Sequence, residues 1–167
     1  LEARSKGVWV RSPMQLFFEL CPTSDIVGVT GTKGKGTTAS LTAHILKKSG
    51  KRVWLGGNIG VAPFSFLDKV RASDWVVLEL SSFQLEDMTT SPHIAIITNF
   101  HKEHLAAADP QNRNYHKTIA DYWRAKLNII KWQKRGDRAV VNRRLKARAE
   151  KEDIKSKISY FTRSDMA

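Results

Sequence analysis

The sequence predicts an α/β domain with a doubly wound, largely parallel sheet that is flanked by helices. Short apolar segments alternate with segments of helical spacing along most of the chain, and this alternation is typical of parallel sheets. Several strand candidates are nearly continuous apolar runs, as expected for strands that are covered on both faces. A glycine-dense loop between the first strand and the first helix indicates the phosphate-loop type of this fold.

The predicted elements follow one another from residue 26 onward. The strands are placed at 26–29, 52–55, 75–80, 94–98, 139–141 and 158–161. The helices between them are placed at 37–49, 64–70, 82–88, 119–133 and 144–151. Residues 1–24 are interpreted as a lead-in, because Pro13 and Pro22 flank a short apolar segment there.

Length and composition are those of an ordinary globular domain. The chain has 167 residues, of which 41% are hydrophobic and 26% are charged. It contains neither an apolar run of about 18 residues nor the layout of a signal peptide, so we expect no membrane span. The single cysteine, Cys21, excludes an internal disulfide and a multi-cysteine zinc site. We therefore expect a cytoplasmic protein.

The chain is strongly basic, with 28 Lys and Arg against 16 Asp and Glu and a net charge of +12. This charge favours anionic partners such as nucleotides, phosphorylated substrates or nucleic acid. Much of it lies between residues 131 and 157, which we interpret as a solvated, lysine-rich helical surface. Neither interleaved aromatic residues nor a nucleic-acid motif accompanies it, so we expect no specific nucleic-acid partner.

The segment 26–38 reads Ile-Val-Gly-Val-Thr-Gly-Thr-Lys-Gly-Lys-Gly-Thr-Thr and has the layout strand, loop, helix. Glycines let backbone N–H groups turn toward an anion, the helix N-terminus adds positive potential, and Lys35 supplies a charge for phosphates. The pattern G-x-x-x-x-G-K-[ST] is matched imperfectly, since Val29 replaces its first glycine and Gly36 moves the hydroxyl to Thr37. A glycine-rich turn at a helix start is the alternative interpretation.

Ligands of parallel sheets bind beyond the carboxyl ends of the strands. Glu79 sits inside an otherwise apolar strand, where a carboxylate is costly unless it is paired or bound to a cation. Near a phosphate loop that cation is Mg²⁺, and Thr37 can offer a hydroxyl to the same ion. The alternatives are a glutamate that faces solvent and a threonine that caps the helix.

Five motifs occur in order and together resemble the central ATPase domain of the Mur ligases, which are ATP-dependent amide-forming enzymes of peptidoglycan synthesis. They are Gly-Val-Thr-Gly-Thr-Lys-Gly-Lys-Gly-Thr-Thr (28–38), Gly-Asn-Ile-Gly (57–60), Leu-Glu-Leu-Ser-Ser-Phe-Gln-Leu-Glu (78–86), Thr-Asn (98–99) and Glu-His-Leu (103–105). The resemblance covers roughly residues 14–162. The 78–86 string is similar to the branch that adds D-glutamate to UDP-N-acetylmuramoyl-L-alanine, whereas Gly-Lys-Gly-Thr is similar to folylpolyglutamate synthases.

The resemblance implies ATP and two Mg²⁺ ions, with Lys35, Lys126 and His104 as catalytic residues. Thr37 and Glu79 would bind one ion, and Glu79, His104 and a carbamylated Lys126 the other. Asn58 and Ser81 would contact the UDP-muramoyl substrate. The ATP phosphates would lie on Gly31, Thr32, Lys33, Gly34, Lys35, Gly36, Thr37 and Thr38. Without the family match, Lys126 would be one more exposed lysine on an amphipathic helix.

The chain also departs from the family pattern. Glu103 stands where the family has aspartate, alanines at 106–108 replace a later aspartate, and an insertion near 109–114 precedes His116. The family's enzymes have three domains, so we expect residues 1–24 to lead from an N-terminal domain and 25–167 to form part of the central domain. We expect a monomer. A folylpolyglutamate synthase-like ligase and a non-catalytic nucleotide- or RNA-binding module remain as alternatives.

Overall fold

The computed structural model describes residues 5–8, 10–101 and 115–162. Within these ranges one sheet of six parallel strands forms in the order β2-β3-β1-β4-β5-β6. The strands are β1 Ile26–Thr30, β2 Val53–Gly57, β3 Trp75–Glu79, β4 Ile94–Ile97, β5 Arg138–Asn142 and β6 Lys157–Phe161. The predicted fold class and the six predicted strands are confirmed.

Helices cover both faces of the sheet. They are α1 Pro13–Leu20, α2 Lys35–Lys48, α3 Ser82–Leu85, α4 Ile119–Lys131 and α5 Lys146–Ala149, with 3-10 turns at Pro63–Ser65, Leu67–Lys69 and Arg143–Leu145. The helix predicted at 64–70 is therefore two separate 3-10 turns. The helix predicted at 144–151 is a 3-10 turn followed by a single α-turn. No helix in the described ranges has the length and apolarity needed to cross a membrane.

Helix α1 was not predicted, because its flanking prolines indicated a lead-in. Pro13 instead occupies the first turn, where its missing N–H costs nothing. Ser12 and Gln15 form a reciprocal capping box at its start, and the Gln15 side chain also donates to the Asp87 carbonyl. The fully buried Phe17 anchors α1 in the hydrophobic core of the sheet.

Strand β1 lies at the centre of the sheet, between β3 and β4. Every residue of β1 is buried, which explains the apolar run at 26–29. The chain leaves β1 toward β2 and β3 on one side and continues to β4 on the other. The carboxyl end of β1 is therefore a topological switch point, the position at which such sheets bind ligands.

A buried carboxylate, Asp74, fixes the turn before β3 to β2. Its Oδ2 accepts hydrogen bonds from Trp54 Nε1 at 2.8 Å and the Arg71 amide at 3.0 Å, and Arg52 Nε lies 3.5 Å away. The hydrogen bond from Trp54, followed by that from the Arg71 amide and by the nearby arginine charges, lowers the pKa of Asp74 below its ordinary value. These contacts keep the Asp74 carboxylate ionised beside β2, the strand at the edge of the sheet.

Candidate functional site

The phosphate loop leaves the carboxyl end of β1 in a conformation that requires glycine. Gly31 has φ +145°, and a Cβ atom there would overlap the Thr98 hydroxyl. Gly34 has φ +78° and is the N-cap of α2, where no side chain accepts from the first-turn amides. Since Thr37 lies inside the helix, it does not serve as its cap. The start of α2 thus presents backbone N–H groups of the kind that bind phosphate.

The end of β4 holds this loop in place. Asn99 Oδ1 accepts from the Lys33 amide at 2.8 Å and the Thr32 amide at 3.2 Å. Asn99 Nδ2 and Thr98 Oγ1 both donate to the Lys33 carbonyl at 2.8 Å. Thr98 and Asn99 were noted in the sequence as a motif, and the structure shows that they fix the backbone of the loop.

Two lysines direct their ammonium groups to the loop. Lys35 Nζ donates to the Thr32 carbonyl at 2.9 Å. Lys126 Nζ, from α4, donates to the Gly31 carbonyl at 2.8 Å and lies 4.7 Å from the centre of the Tyr122 ring. Lys126 is only 2% exposed, so the alternative of a surface lysine on an amphipathic helix is wrong.

Glu79 lies beside the loop at the end of β3 and is 3% exposed, so it does not face solvent. Asn58 Nδ2 donates to Glu79 Oε1 at 3.2 Å, and the Asn58 amide donates to the Glu79 carbonyl at 2.8 Å. A Cβ atom on Gly36 would lie 3.2 Å from Glu79 Oε2. The carboxylate is therefore packed against the first turn of α2, where a buried anion fits a bound cation.

The remaining predicted site residues are Ser81, Thr37 and His104. Ser81 is the N-cap of α3, where its Oγ accepts from the Gln84 amide at 3.2 Å. Thr37 is exposed on the first turn of α2. His104 lies outside the described residues, and in the described part of the chain no three His, Cys, Asp or Glu side chains form a metal-binding group. The two predicted Mg²⁺ sites therefore remain predictions.

A cleft of about 600 Å³ lies next to the loop, at the carboxyl ends of β4, β5 and β6. Asn99 belongs both to this cleft and to the set of residues that brace the loop. The exposed Arg143 and Arg144 line the cleft, as does Phe100, whose ring also stacks on Tyr122. A basic cleft that continues from a phosphate loop has the shape and charge to take a nucleotide.

Sequence reasoning missed one contributor to the site and gave a second no defined role. Tyr122 lies on α4, and its hydroxyl is 3.2 Å from Thr32 Oγ1. His116, left without a role from sequence, is buried with its Nε2 2.9 Å from Ser82 Oγ and its ring stacked on Phe83. Tyr122 reaches the loop through the position of α4 in the fold, and His116 contacts the Tyr122 ring.

The comparisons by sequence agree on one family. The family model described as Mur ligase middle domain matches residues 29–167. The UDP-N-acetylmuramoylalanine–D-glutamate ligase of Acetivibrio thermocellus is 45% identical over 142 residues, which are 85% of this chain and 28% of that protein. The enzyme of the same name from Clostridium kluyveri is 43% identical over 143 residues, 86% of this chain and 29% of that protein. The chain thus spans less than a third of the length of these curated relatives.

Solved structures share the fold. MurF ligase from Thermotoga maritima in complex with ADP has a TM-score of 0.66 at 23% identity, over 91% of this chain and 37% of that one. UDP-N-acetylmuramate:L-alanyl-gamma-D-glutamyl-meso-diaminopimelate ligase from Neisseria meningitides has a TM-score of 0.64 at 19% identity, over 96% of this chain and 53% of that one. A bifunctional folylpolyglutamate synthase/dihydrofolate synthase with Mn, AMPPNP and L-glutamate bound has a TM-score of 0.55 at 20% identity, over 88% of this chain and 46% of that one.

Proposed function

Because the chain belongs to the Mur ligase family through its middle domain, we propose that it is the ATP-binding part of an enzyme that joins a carboxylate to an amine. The observation that carries this proposal is the phosphate loop at the switch point, where Asn99 fixes the backbone, Lys35 supplies positive charge and the buried Lys126 reaches the Gly31 carbonyl. The curated relatives are named as ligases, which supports the same activity.

The ATP phosphates are proposed to lie on Gly31, Thr32, Lys33, Gly34, Lys35, Gly36, Thr37 and Thr38. Amides at the start of α2 would then point to the β- and γ-phosphates, where Lys35 would exchange its bond to the Thr32 carbonyl for phosphate oxygens. The nucleoside is proposed to occupy the adjacent cleft, against Phe100 and the exposed arginines. This arrangement offsets the repulsion between the transferred phosphoryl group and the carboxylate that receives it.

Divalent cations fit the carboxylate beside the loop. Glu79 and Thr37 are proposed to hold the Mg²⁺ ion that neutralises charge on the phosphates. A second ion is proposed to bind Glu79, His104 and a carbamylated Lys126. Carbamylation would convert the Lys126 ammonium, next to Gly31, into an anionic ligand. Lys35, Lys126 and His104 are the proposed catalytic residues.

The amino-acid specificity is proposed from the relatives' names and from the string at 78–86. Both point to D-glutamate as the amine and to UDP-N-acetylmuramoyl-L-alanine as the carboxylate, which ATP would activate as an acyl phosphate before the amine attacks. Asn58 and Ser81, which follow β2 and β3, are proposed to contact the muramoyl substrate. Residues 25–167 would form part of the central domain of a longer, monomeric cytoplasmic enzyme.

A folylpolyglutamate synthase-like ligase is the second candidate. It is favoured by Gly36, because the sequence Gly-Lys-Gly-Thr is similar to the phosphate loop of those enzymes. Gly36 stands where the general phosphate-loop pattern has a hydroxyl residue, and the close approach of Glu79 leaves little space for a side chain there. The string at 78–86 opposes this candidate. A non-catalytic nucleotide- or RNA-binding module is favoured by the net charge of +12.

Substrate-dependent phosphate release separates these candidates. The full-length enzyme that carries this chain, given Mg-ATP, is expected to release phosphate only when UDP-N-acetylmuramoyl-L-alanine and D-glutamate are both present. Release with a folate and L-glutamate would instead support the second candidate. Tight, salt-sensitive RNA binding without ATP affinity would support the binding module, because contacts to the phosphate backbone weaken steeply with salt.

A further inference from the structure

The side chain of Thr32 joins three parts of the fold at the phosphate loop. Its Oγ1 accepts from the His101 amide at 2.9 Å and lies 3.3 Å from the His101 carbonyl, to which it donates. The Tyr122 hydroxyl lies 3.2 Å from the same atom. Both hydroxyls are buried, so each depends on protein partners for its hydrogen bonds. The loop is thereby tied to α4 as well as to the end of β4.

The ring of Tyr122 makes a second set of contacts around the same loop. One contact is the Lys126 ammonium, 4.7 Å from the ring centre, which itself donates to the Gly31 carbonyl. Phe100 stacks at 5.1 Å, and His116 lies at 5.2 Å. A single side chain therefore touches Thr32 through its hydroxyl and Lys126 through its ring.

His116 extends this contact toward α3. Its Nε2 is 2.9 Å from Ser82 Oγ, and its ring is parallel to that of Phe83 at 4.7 Å. Ser82 and Phe83 directly follow Ser81 at the end of β3. The structure thus has a continuous path of contacts from α3, through His116 and Tyr122, to the phosphate loop.

We propose that Tyr122 is a positioning residue of the nucleotide site, which sets the phosphate-loop backbone through Thr32 and holds Lys126 against Gly31. Packing alone would need only an aromatic ring at this position, whereas the hydroxyl is directed at the loop. The effect of Tyr122 on nucleotide affinity rests on the proposed function, whereas its effect on the loop backbone does not depend on that function.

The test uses Tyr122→Phe, which keeps the ring and removes the hydroxyl, and Thr32→Val, which removes its partner. Titration of the full-length enzyme that carries this chain with Mg-ATP should show each variant binding about threefold to tenfold more weakly. The double variant should bind no more weakly than the worse single variant, because Thr32→Val alone already removes the contact to the Tyr122 hydroxyl. The matched control is Tyr115→Phe, an exposed tyrosine outside the loop contacts, which should bind as the unaltered chain does.

Hydrogen exchange without nucleotide decides the proposal independently. In Tyr122→Phe the amides of Thr32 and Lys33 should exchange about fivefold faster, while the amides of Val27 and Val29 in β1 keep their rates. Equal acceleration in β1 would mean a general loss of stability and would overturn the proposal, as would unchanged exchange in the loop. If the unaltered full-length enzyme binds no Mg-ATP, the proposed function fails and the exchange result still decides the role of Tyr122. Should Tyr122→Phe not fold, Thr32→Val is judged by the same two measurements.

Discussion

Lys126 Nζ donates a hydrogen bond to the Gly31 carbonyl at 2.8 Å, which ties a buried lysine of α4 to the first residue of the phosphate loop. The two residues are 95 positions apart in the chain. A charged side chain that is 2% exposed is costly unless its surroundings compensate it, and the carbonyl and the Tyr122 ring both do so. This contact places Lys126 in the proposed site rather than on the surface.

The first prediction concerns Lys126. In the full-length enzyme Lys126→Ala should lose ligase activity by about a hundredfold or more, as expected when a ligand or charge partner of transferred phosphate is removed. A short carboxylate added to the assay should restore part of this activity, because it can replace the proposed carbamate. Lys131→Ala, on an exposed part of the same helix, is the control. Activity in Lys126→Ala equal to that of the control would show that the lysine has only a structural role.

A second prediction tests the phosphate loop directly. Lys35→Ala should abolish measurable Mg-ATP binding, because Lys35 is the loop cation best placed for the β- and γ-phosphates. Lys47→Ala, in the last turn of the same helix, removes an equal charge far from the loop and should change the affinity little. Calorimetric titration of both variants gives the comparison. Equal affinities would mean that the glycine-rich segment is only a turn at a helix start.

Gly31 provides a third prediction, on stability. Gly31→Ala should lower the free energy of unfolding by about 2 kcal/mol or more, since its Cβ would overlap the Thr98 hydroxyl and crowd the Asn99 backbone. Gly50→Ala is the matched control, because Gly50 has φ +81° but open space around it. That control should lose about 1 kcal/mol, from backbone strain alone. Urea unfolding of both variants would reveal whether the close approach matters, and equal losses would contradict it.

Local sequence predicted the strands because a parallel strand that is covered on both faces is mostly apolar, and β1 is buried throughout. Segment α1 was missed because a proline at a first helical turn looks the same in sequence as a proline in a linker. Part of the site could also be predicted from local sequence, since the loop and Glu79 lie at the ends of strands. The approach of Tyr122 and Lys126 to the loop depends on how α4 packs on the sheet, which no local pattern encodes.

The last prediction concerns pH. The hydrogen bond from Trp54 and the neighbouring Arg71 amide and arginines lower the pKa of Asp74 in the folded chain, whereas the unfolded chain has the ordinary value of about 3.9. The ionised carboxylate therefore adds stability at pH values above the unfolded pKa. This stability is lost as the pH falls below about 4 and through the folded pKa.

Urea unfolding at a series of pH values should show Asp74→Asn less stable than the unaltered chain at pH 6 to 7. The difference in free energy of unfolding between the two proteins should narrow as the pH falls below about 4, where the aspartate becomes protonated. Subtracting the two curves removes the titration of the other carboxylates, which both proteins share. Trp54→Phe should flatten the pH dependence, because the indole N–H is the first cause of the lowered pKa. A difference that stays constant from pH 7 to pH 3 would show that Asp74 contributes through its shape and hydrogen bonds rather than through its charge.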